Sequence, residues 1–271
     1  LPVYKDSSKP VEERIGDLLK RMTVDEKIGM IAGVSGNSTP DTHAKMDDPN
    51  TIIQALDFLS KTLRNVRLGI PELIMTDGPL GPKGKGGSTN YSAAVNFAAT
   101  FDPDLIKKVG QSMGAETRNL GFNVLLGPCI NISRSPFNGR SFESFGEDPY
   151  LTSVLSVAFV KGVQSQRVVS CPKHYAVNNQ EWNRMTVDVD VNERALREIY
   201  LPAFKATVQE ADAWFVMSSY NKFRGEWCGE NGYLLTDILK NEFKFTGAVI
   251  SDWGGTHNTL PALRGGLDLE M

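Results

Sequence analysis

Short apolar runs that stop on a polar or charged residue recur along the chain, separated by stretches with helical spacing. Leu73-Ile-Met ends at Thr76-Asp77-Gly, Phe122-Asn-Val-Leu-Leu at Gly127-Pro, and Val168-Val-Ser-Cys at Pro172-Lys173-His174. Ala213-Trp-Phe-Val-Met ends at Ser218-Ser-Tyr220-Asn, and Gly247-Ala-Val-Ile at Ser251-Asp252-Trp253. Runs of this length, β-branched and closed by turn residues, read as strands buried on both faces, as in a parallel sheet. A final strand is expected over 267–271, and the period-two pattern of Val187-Asp-Val-Asp-Val191 reads as a half-exposed strand.

The intervening segments read as helices. Residues 10–22 place Val11, Ile15, Leu18, Leu19 and Met22 on one face, and Thr23-Val-Asp-Glu26 has capping-box spacing for a second, short helix. Residues 33–50 read as loop, and a helix is expected at about 50–65. Asp102-Pro103 is a helix start with N-cap and Pro in place, Leu105, Ile106, Val109, Met113 and Leu120 form its buried stripe, and Gly121 ends it. Further helices are expected at about 150–165, from Asn192 to about Glu210, from a Thr236 cap through Phe243, and over Pro261–Gly265.

Strand, loop and helix alternate along the whole chain, which implies parallel strands with helical crossovers. At 271 residues the chain is close to the roughly 250 of a typical barrel. The expected fold is therefore α/β, a (β/α)8 TIM-type barrel over 1–271. An open doubly wound sheet is less well supported, because no dinucleotide fingerprint follows the first strand. Gly81-Pro-Lys-Gly-Lys-Gly-Gly87 lacks the Lys-Ser/Thr ending of a phosphate loop and reads as a mobile loop over a site. A net charge of −3 gives no basic excess, so neither nucleic acid nor membrane is expected as a partner. Cys129, Cys171 and Cys228 form no CxxC pair, so neither zinc nor a redox pair is supported; no metal and no cofactor are expected. The composition leaves the compartment open, with an extracellular or periplasmic location the favoured expectation.

A barrel gathers its strand C-termini on one face. That face would receive Asp77, Lys173 with His174, Tyr220, and Asp252 with Trp253, together with the polar loop Asn131–Pro149. Taken alone, Asp252 reads first as a cap for the next turn, and only the rest of the chain shifts that reading. Carboxylates, cations and aromatic platforms converging on one rim suit a sugar, whose hydroxyls bridge both charge types while its apolar face packs on indole. Glycosidic cleavage also needs two carboxyl groups. A lysine at a strand end is also where a Schiff-base aldolase keeps its lysine, and Lys173 with His174 as proton carrier is the lesser, rival reading. A non-catalytic sugar-binding relic is the other alternative, and it would have no need of Asp252.

Thr76-Asp77-Gly-Pro, Asn138-Gly-Arg140-Ser-Phe-Glu143-Ser-Phe-Gly-Glu147-Asp148-Pro, Lys173-His174-Tyr, Met217-Ser-Ser-Tyr220-Asn and Ser251-Asp252-Trp253 together resemble the N-terminal barrel of glycoside hydrolase family 3, most strongly its β-glucosidase branch. The resemblance runs from Met22-Thr-Val-Asp-Glu-Lys27 to Gly266-Leu-Asp-Leu. It implies a retaining, exo-acting β-glucosidase that releases glucose from a β-glucoside or small oligosaccharide, with β-xylosidase or another β-glycosidase as the variant reading. It implies Asp252 as nucleophile and Asp77 as the grip on the terminal sugar's hydroxyls. Arg140, Lys173, His174 and Tyr220 match the other sugar-binding positions, and Trp253 the stacking indole. Glu143, Glu147 and Asp148 are expected to hold the loop through ion pairs and caps, with Arg134 suited to either purpose. His43 and His257 match nothing catalytic.

The sequence departs from the family at Lys83, where many of the β-glucosidases carry an arginine; lysine cannot make the same bidentate fork. It also carries Asn178 where another branch places an acid/base histidine, and asparagine cannot shuttle a proton. The β-glucosidase branch takes its acid/base glutamate from a following α/β sandwich domain. The expectation is thus that the acid lies outside this chain, which would be a portion of a longer protein.

Overall fold

A computed structural model describes residues 1–33, 61–84 and 87–271. The chain divides into two compact units, Leu1–Glu72 and Leu73–Met271. In the first, helix Val11–Arg21 is followed by helix Val24–Met30, whose Thr23–Glu26 capping box forms as expected. Arg67 grips both oxygens of Glu26 at 2.7 and 2.5 Å and also bonds the Arg21 carbonyl, tying the second helix to the segment after Thr62. Of the apolar residues expected on one face of the first helix, Met22 is buried, whereas Val11, Ile15 and Leu19 are exposed. The helix expected at about 50–65 lies mostly outside the described residues. Its described end, 61–65, is extended instead: Thr62 pairs antiparallel with Gly33 and Asn65 with Ile70.

The second unit carries the strands β1 (Met75–Asp77), β2 (Val124–Leu126), β3 (Val169–Ser170), β4 (Asp188–Val189), β5 (Phe215–Met217), β6 (Lys222–Phe223), β7 (Glu226–Trp227) and β8 (Ala248–Ile250). β1 pairs parallel with β2, with Met75 opposite Val124, and β2 with β3, with Val124 opposite Val169. Tyr175 bridges Ser218 in the extension of β3 and β5, β5 pairs parallel with β8, and Ile250 bridges Leu269. Each step crosses over through a helix, as parallel pairing requires: Pro103–Asn119, Pro149–Gln164, Pro202–Ala211, Tyr233–Glu242 and Thr259–Gly265 in turn. The Asp188–Val189 strand lies apart from this order, in a small sheet with the β6–β7 hairpin.

Alternate strand residues feed two separate cores. Met75, Val124, Leu126, Met217, Ile250 and Leu269 cluster on one side, whereas Leu125, Val216 and Val249 join the helical layer on the other. A sheet buried on both faces, with its own small inner cluster, is what a barrel wall produces. Among the described residues no helix is long and apolar enough to cross a membrane.

Local signals set most helix starts. Asp102 and Asp148 each accept the backbone N–H three residues on, with proline at the first helical position. Two expectations are corrected. Thr236 does not begin its helix: Asn231 accepts the Leu234 N–H, helical turns run from Tyr233, and Thr236 Oγ1 bonds the Gly265 carbonyl instead. The helix expected from Asn192 is not uniform either. Leu196–Tyr200 forms wide turns just before Pro202, which has no N–H with which to continue the ladder.

Helices Pro103–Asn119 and Pro149–Gln164 cross at two glycines. A Cβ on Gly110 would sit 2.4 Å from the Phe159 carbonyl oxygen, and one on Gly162 2.3 Å from that of Lys107. Because backbone cannot yield as a side-chain tip does, Gly162→Ala is expected to cost about 1–3 kcal/mol, read as a lower urea midpoint. Gly16→Ala is the control, since nothing lies within 4 Å of its Cβ position; removing an interior helix glycine should stabilise by up to about 1 kcal/mol.

Candidate active site

The strand ends converge as the parallel order requires. Asp77, the last residue of β1, has Oδ1 2.8 Å from Lys173 Nζ and Oδ2 2.8 Å from Lys83 Nζ. Lys83 is aimed by Thr76, whose hydroxyl bonds both the Lys83 N–H and its carbonyl at 2.8 Å. The expected mobile loop is therefore pinned in its first part, with Gly81 at φ +115° and no room for a side chain against Thr89. Lys85 and Gly86 lie outside the described residues.

The two aspartates are driven in opposite directions. At Asp77 burial pushes the carboxyl pKa up, but the ammonium groups of Lys173 and Lys83 outweigh it and hold the group well below the usual carboxylate range. Asp252, buried at the end of β8, is raised by burial despite Lys173, the Tyr220 hydroxyl and the Trp253 N–H. Its Oδ1 accepts from Tyr220 Oη and from the Trp253 backbone N–H, both at 2.8 Å. Its Oδ2 lies 3.6 Å from His174 Nε2. One oxygen is thus fully held and the other left for chemistry. The two carboxylates sit in contrasting environments, Asp77 between two ammonium groups and Asp252 buried beside an imidazole.

Lys173 is buried. Burial would lower its pKa, but Asp77 raises it above the ordinary lysine value, so the side chain stays an ammonium. A Schiff-base lysine needs the reverse shift, and the aldolase reading loses its support. His174 is driven well below the ordinary histidine value by burial and by the charges of Arg140 and Lys173, and is neutral. Arg140 forks onto Glu143 at 2.9 and 3.1 Å and lies 4.0 Å from Glu181. Asp148 is an N-cap, and Glu143 and Asp148 therefore have the loop-holding roles expected of them.

Arg140, His174 and Asn178 line one small buried pocket with Asn131, Asn138 and Glu181. The carbonyl oxygens of the Asn138 and Asn178 side chains and the Trp253 indole N–H have no partner among the described residues. Arg134 bonds the Tyr200 hydroxyl at 2.6 Å. His257 stacks on Trp227 at 3.8 Å, a structural imidazole, and His43 lies outside the described residues.

Sequence reasoning missed Asn131, which bonds the backbone and the ring of His174, and Arg184, whose guanidinium lies 4.7 Å over the Tyr220 ring. Arg184 is turned there by Glu181, which its Nη1 meets at 2.8 Å. The one available signal was a polar residue, Asn131, soon after an apolar strand. Among the described residues no group of His, Cys, Asp and Glu is placed to hold a metal.

Fold and site together define a parallel α/β barrel with paired aspartates and cations at its strand ends. Residues 10–264 match the model of the glycosyl hydrolase family 3 N terminal domain, and the chain belongs to that family. Over its whole length it is 44% identical to a beta-glucosidase of Bacteroides ovatus, of which it covers 35%. It is 43% identical to thermostable beta-glucosidase B of Acetivibrio thermocellus, over 95% of this chain and 33% of that protein. Beta-glucosidase 3B from Thermotoga neapolitana, solved in complex with alpha-D-glucose, superposes with a TM-score of 0.85 at 37% identity, over 95% of this chain and 36% of that one. The chain spans about a third of the length of the curated relatives it matches. The family bears out the barrel expected from the strand rhythm.

Proposed function

We propose that this chain supplies the sugar pocket and the nucleophile of a retaining, exo-acting β-glucosidase. The observation that carries the reading is Asp252: buried, with Oδ1 held by two donors and Oδ2 facing an imidazole nitrogen at 3.6 Å. Asp252 Oδ2 attacks the anomeric carbon through an oxocarbenium-like transition state and forms a glycosyl-aspartate. Asp77, charged between Lys173 and Lys83, accepts from hydroxyls of the terminal sugar, while the lysines donate to them. Arg140, His174 and Tyr220 complete the pocket, and Trp253 offers its indole to the sugar face.

The acid/base is a glutamate outside residues 1–271, carried by a following α/β sandwich domain. Two features support this. Asn178 is an amide that does not ionise and so cannot shuttle a proton, and His174 is bonded to Asn131 and driven toward its neutral form by burial. The glutamate protonates the leaving oxygen and then activates water, at about 5–5.5 Å from Asp252 as retention requires. The substrate is a β-glucoside or small oligosaccharide and the product glucose, which fits the beta-glucosidase names of the relatives.

Incubation with a dinitrophenyl 2-deoxy-2-fluoro-β-glucoside tests the reading, because this leaving group departs without acid help. A fluoroglucosyl adduct on the Asp252 peptide, located by mass spectrometry, is the expected result. An adduct on another carboxylate, or none on folded protein that binds glucose, sinks it.

A further inference from the structure

Asn131 reaches across to His174 and bonds it at three points. The His174 backbone N–H donates to Asn131 Oδ1 at 2.8 Å, Asn131 Nδ2 donates to the His174 carbonyl at 2.8 Å, and ring Nδ1 lies 3.1 Å from the same Oδ1. The two backbone bonds settle which end of the amide is which. A peptide N–H only donates, so the atom it meets is the oxygen; a carbonyl only accepts, so the atom it meets is the amino group. With the oxygen fixed there, Nδ1 faces an acceptor and must carry the hydrogen. The Cys129 thiol lies farther off, 3.9 Å from Nδ1, and as a weak donor and acceptor it is outweighed by the amide oxygen at 3.1 Å.

A neutral imidazole has one N–H. If Nδ1 holds it, Nε2 is a bare lone pair, 3.6 Å from Asp252 Oδ2. In the opposite tautomer Nε2–H would face Oδ2 from 3.6 Å, just beyond N–H···O range, and an approach of about half an ångström would let it donate. That bond would engage the single carboxylate oxygen that Tyr220 and Trp253 leave free, and so weaken it as a nucleophile. Both oxygens of Asp252 would then be tied to protein donors.

We propose that Asn131 is a positioning residue that locks His174 as the Nδ1–H tautomer, keeping Nε2 from donating to Asp252 Oδ2 and leaving that oxygen reactive. The consequence for chemistry rests on Asp252 as nucleophile; the tautomer does not. Nε2 becomes an acceptor, so a sugar hydroxyl that meets His174 is bound as a donor. Asn131 touches no reacting atom, and it acts through the imidazole alone.

The test joins a spectrum to a rate. In protein labelled with 15N-histidine, two-bond proton–nitrogen correlations distinguish protonated from bare ring nitrogens. The chain has three histidines, and the His174 signal is the one lost in His174→Gln. The expected wild-type pattern is protonated Nδ1 and bare Nε2, with the two exchanging roles in Asn131→Ala. In the same variant the rate constant for fluoroglucosylation should fall about tenfold or more, the scale of one hydrogen bond to a charged group, while the half-saturating reagent concentration stays nearly constant. A wild-type His174 protonated at Nε2 overturns the proposal, and does so even if Asn131→Ala fails to fold. A variant whose tautomer changes but whose rate constant does not overturns the role in catalysis. If wild-type protein is never labelled at Asp252, the nucleophile assignment fails instead, and the spectrum alone decides the tautomer.

Discussion

Asp252→Asn is expected to lower turnover of a dinitrophenyl β-glucoside by on the order of 10⁴-fold or more, the scale seen when a covalent nucleophile is removed. The amide oxygen can still accept from Tyr220 and from the Trp253 N–H, so the pocket keeps its shape and glucose binding persists. Loss of rate with retained binding marks a group that acts in the transition state. A variant keeping more than about a hundredth of wild-type turnover would remove Asp252 from the chemistry.

The same substitution is expected to stabilise the fold at neutral pH. Burial raises the Asp252 carboxyl above its ordinary value, so in the window between the unfolded and folded pKa values the native state binds more protons than the unfolded one. Stability therefore falls as pH rises through that window, which opens near the free-aspartate pKa of about 3.9, and the full cost is present above it. Asparagine carries no such cost. The midpoint of thermal unfolding should be higher for Asp252→Asn at pH 7, and the difference should close toward pH 4. Wild-type activity should show the matching acid limb, above the pH at which an ordinary aspartate would protonate. A stability gain at a functional carboxylate, together with loss of rate, is the signature of a site held at the expense of the fold.

How far these residues were legible in advance follows from which forces place them. Asp77, Lys173, His174, Tyr220 and Asp252 each follow an apolar run, and a parallel sheet carries every such strand end to one face. The Asp102 and Asp148 caps and the Thr23–Glu26 box are local too, set within a few residues. Asn131 was not legible as a partner, because it meets His174 across 43 positions and spacing along the chain carries no trace of that contact. Arg184 escaped for a similar reason: its direction is set by Glu181 and the Tyr220 ring. The start of the Tyr233–Glu242 helix was misplaced because threonine's preference for caps is a tendency that tertiary contacts override. Thr236 found Gly265 and Asn231 took the cap. The alternation of Val187–Val191 was a true strand signal, yet it named no sheet, and the strand pairs with β6 outside the barrel order.

Asp77→Asn is expected to be the more damaging change to stability, because of what it leaves behind. The Lys173 side chain is 5% exposed, and its ammonium meets Asp77 at 2.8 Å. Removing one partner of a fully buried ion pair costs about 3–5 kcal/mol. The Asp77 side chain is 45% exposed, however, so water screens the pair, and about 2 kcal/mol is the better expectation. Lys83→Ala removes the other cation from the same carboxylate, but Lys83 is 77% exposed and the loss should be about 0–1 kcal/mol. The sign with pH separates the two aspartates. Asp77 is held below its ordinary value, so its stabilisation is complete above the unfolded pKa of about 3.9 and is lost as pH falls through the lower folded value. The gap between wild type and Asp77→Asn should therefore be widest at neutral pH and narrow in acid, while Asp252→Asn moves stability the opposite way in the same experiment. Without Asp77, burial would draw Lys173 toward its neutral form, and glucose affinity should fall by about 10²-fold, as expected for losing charged contacts to more than one hydroxyl. Urea unfolding and glucose titration of the two variants decide the matter: equal costs for Asp77→Asn and Lys83→Ala would mean that the buried Lys173 ammonium is not what Asp77 compensates.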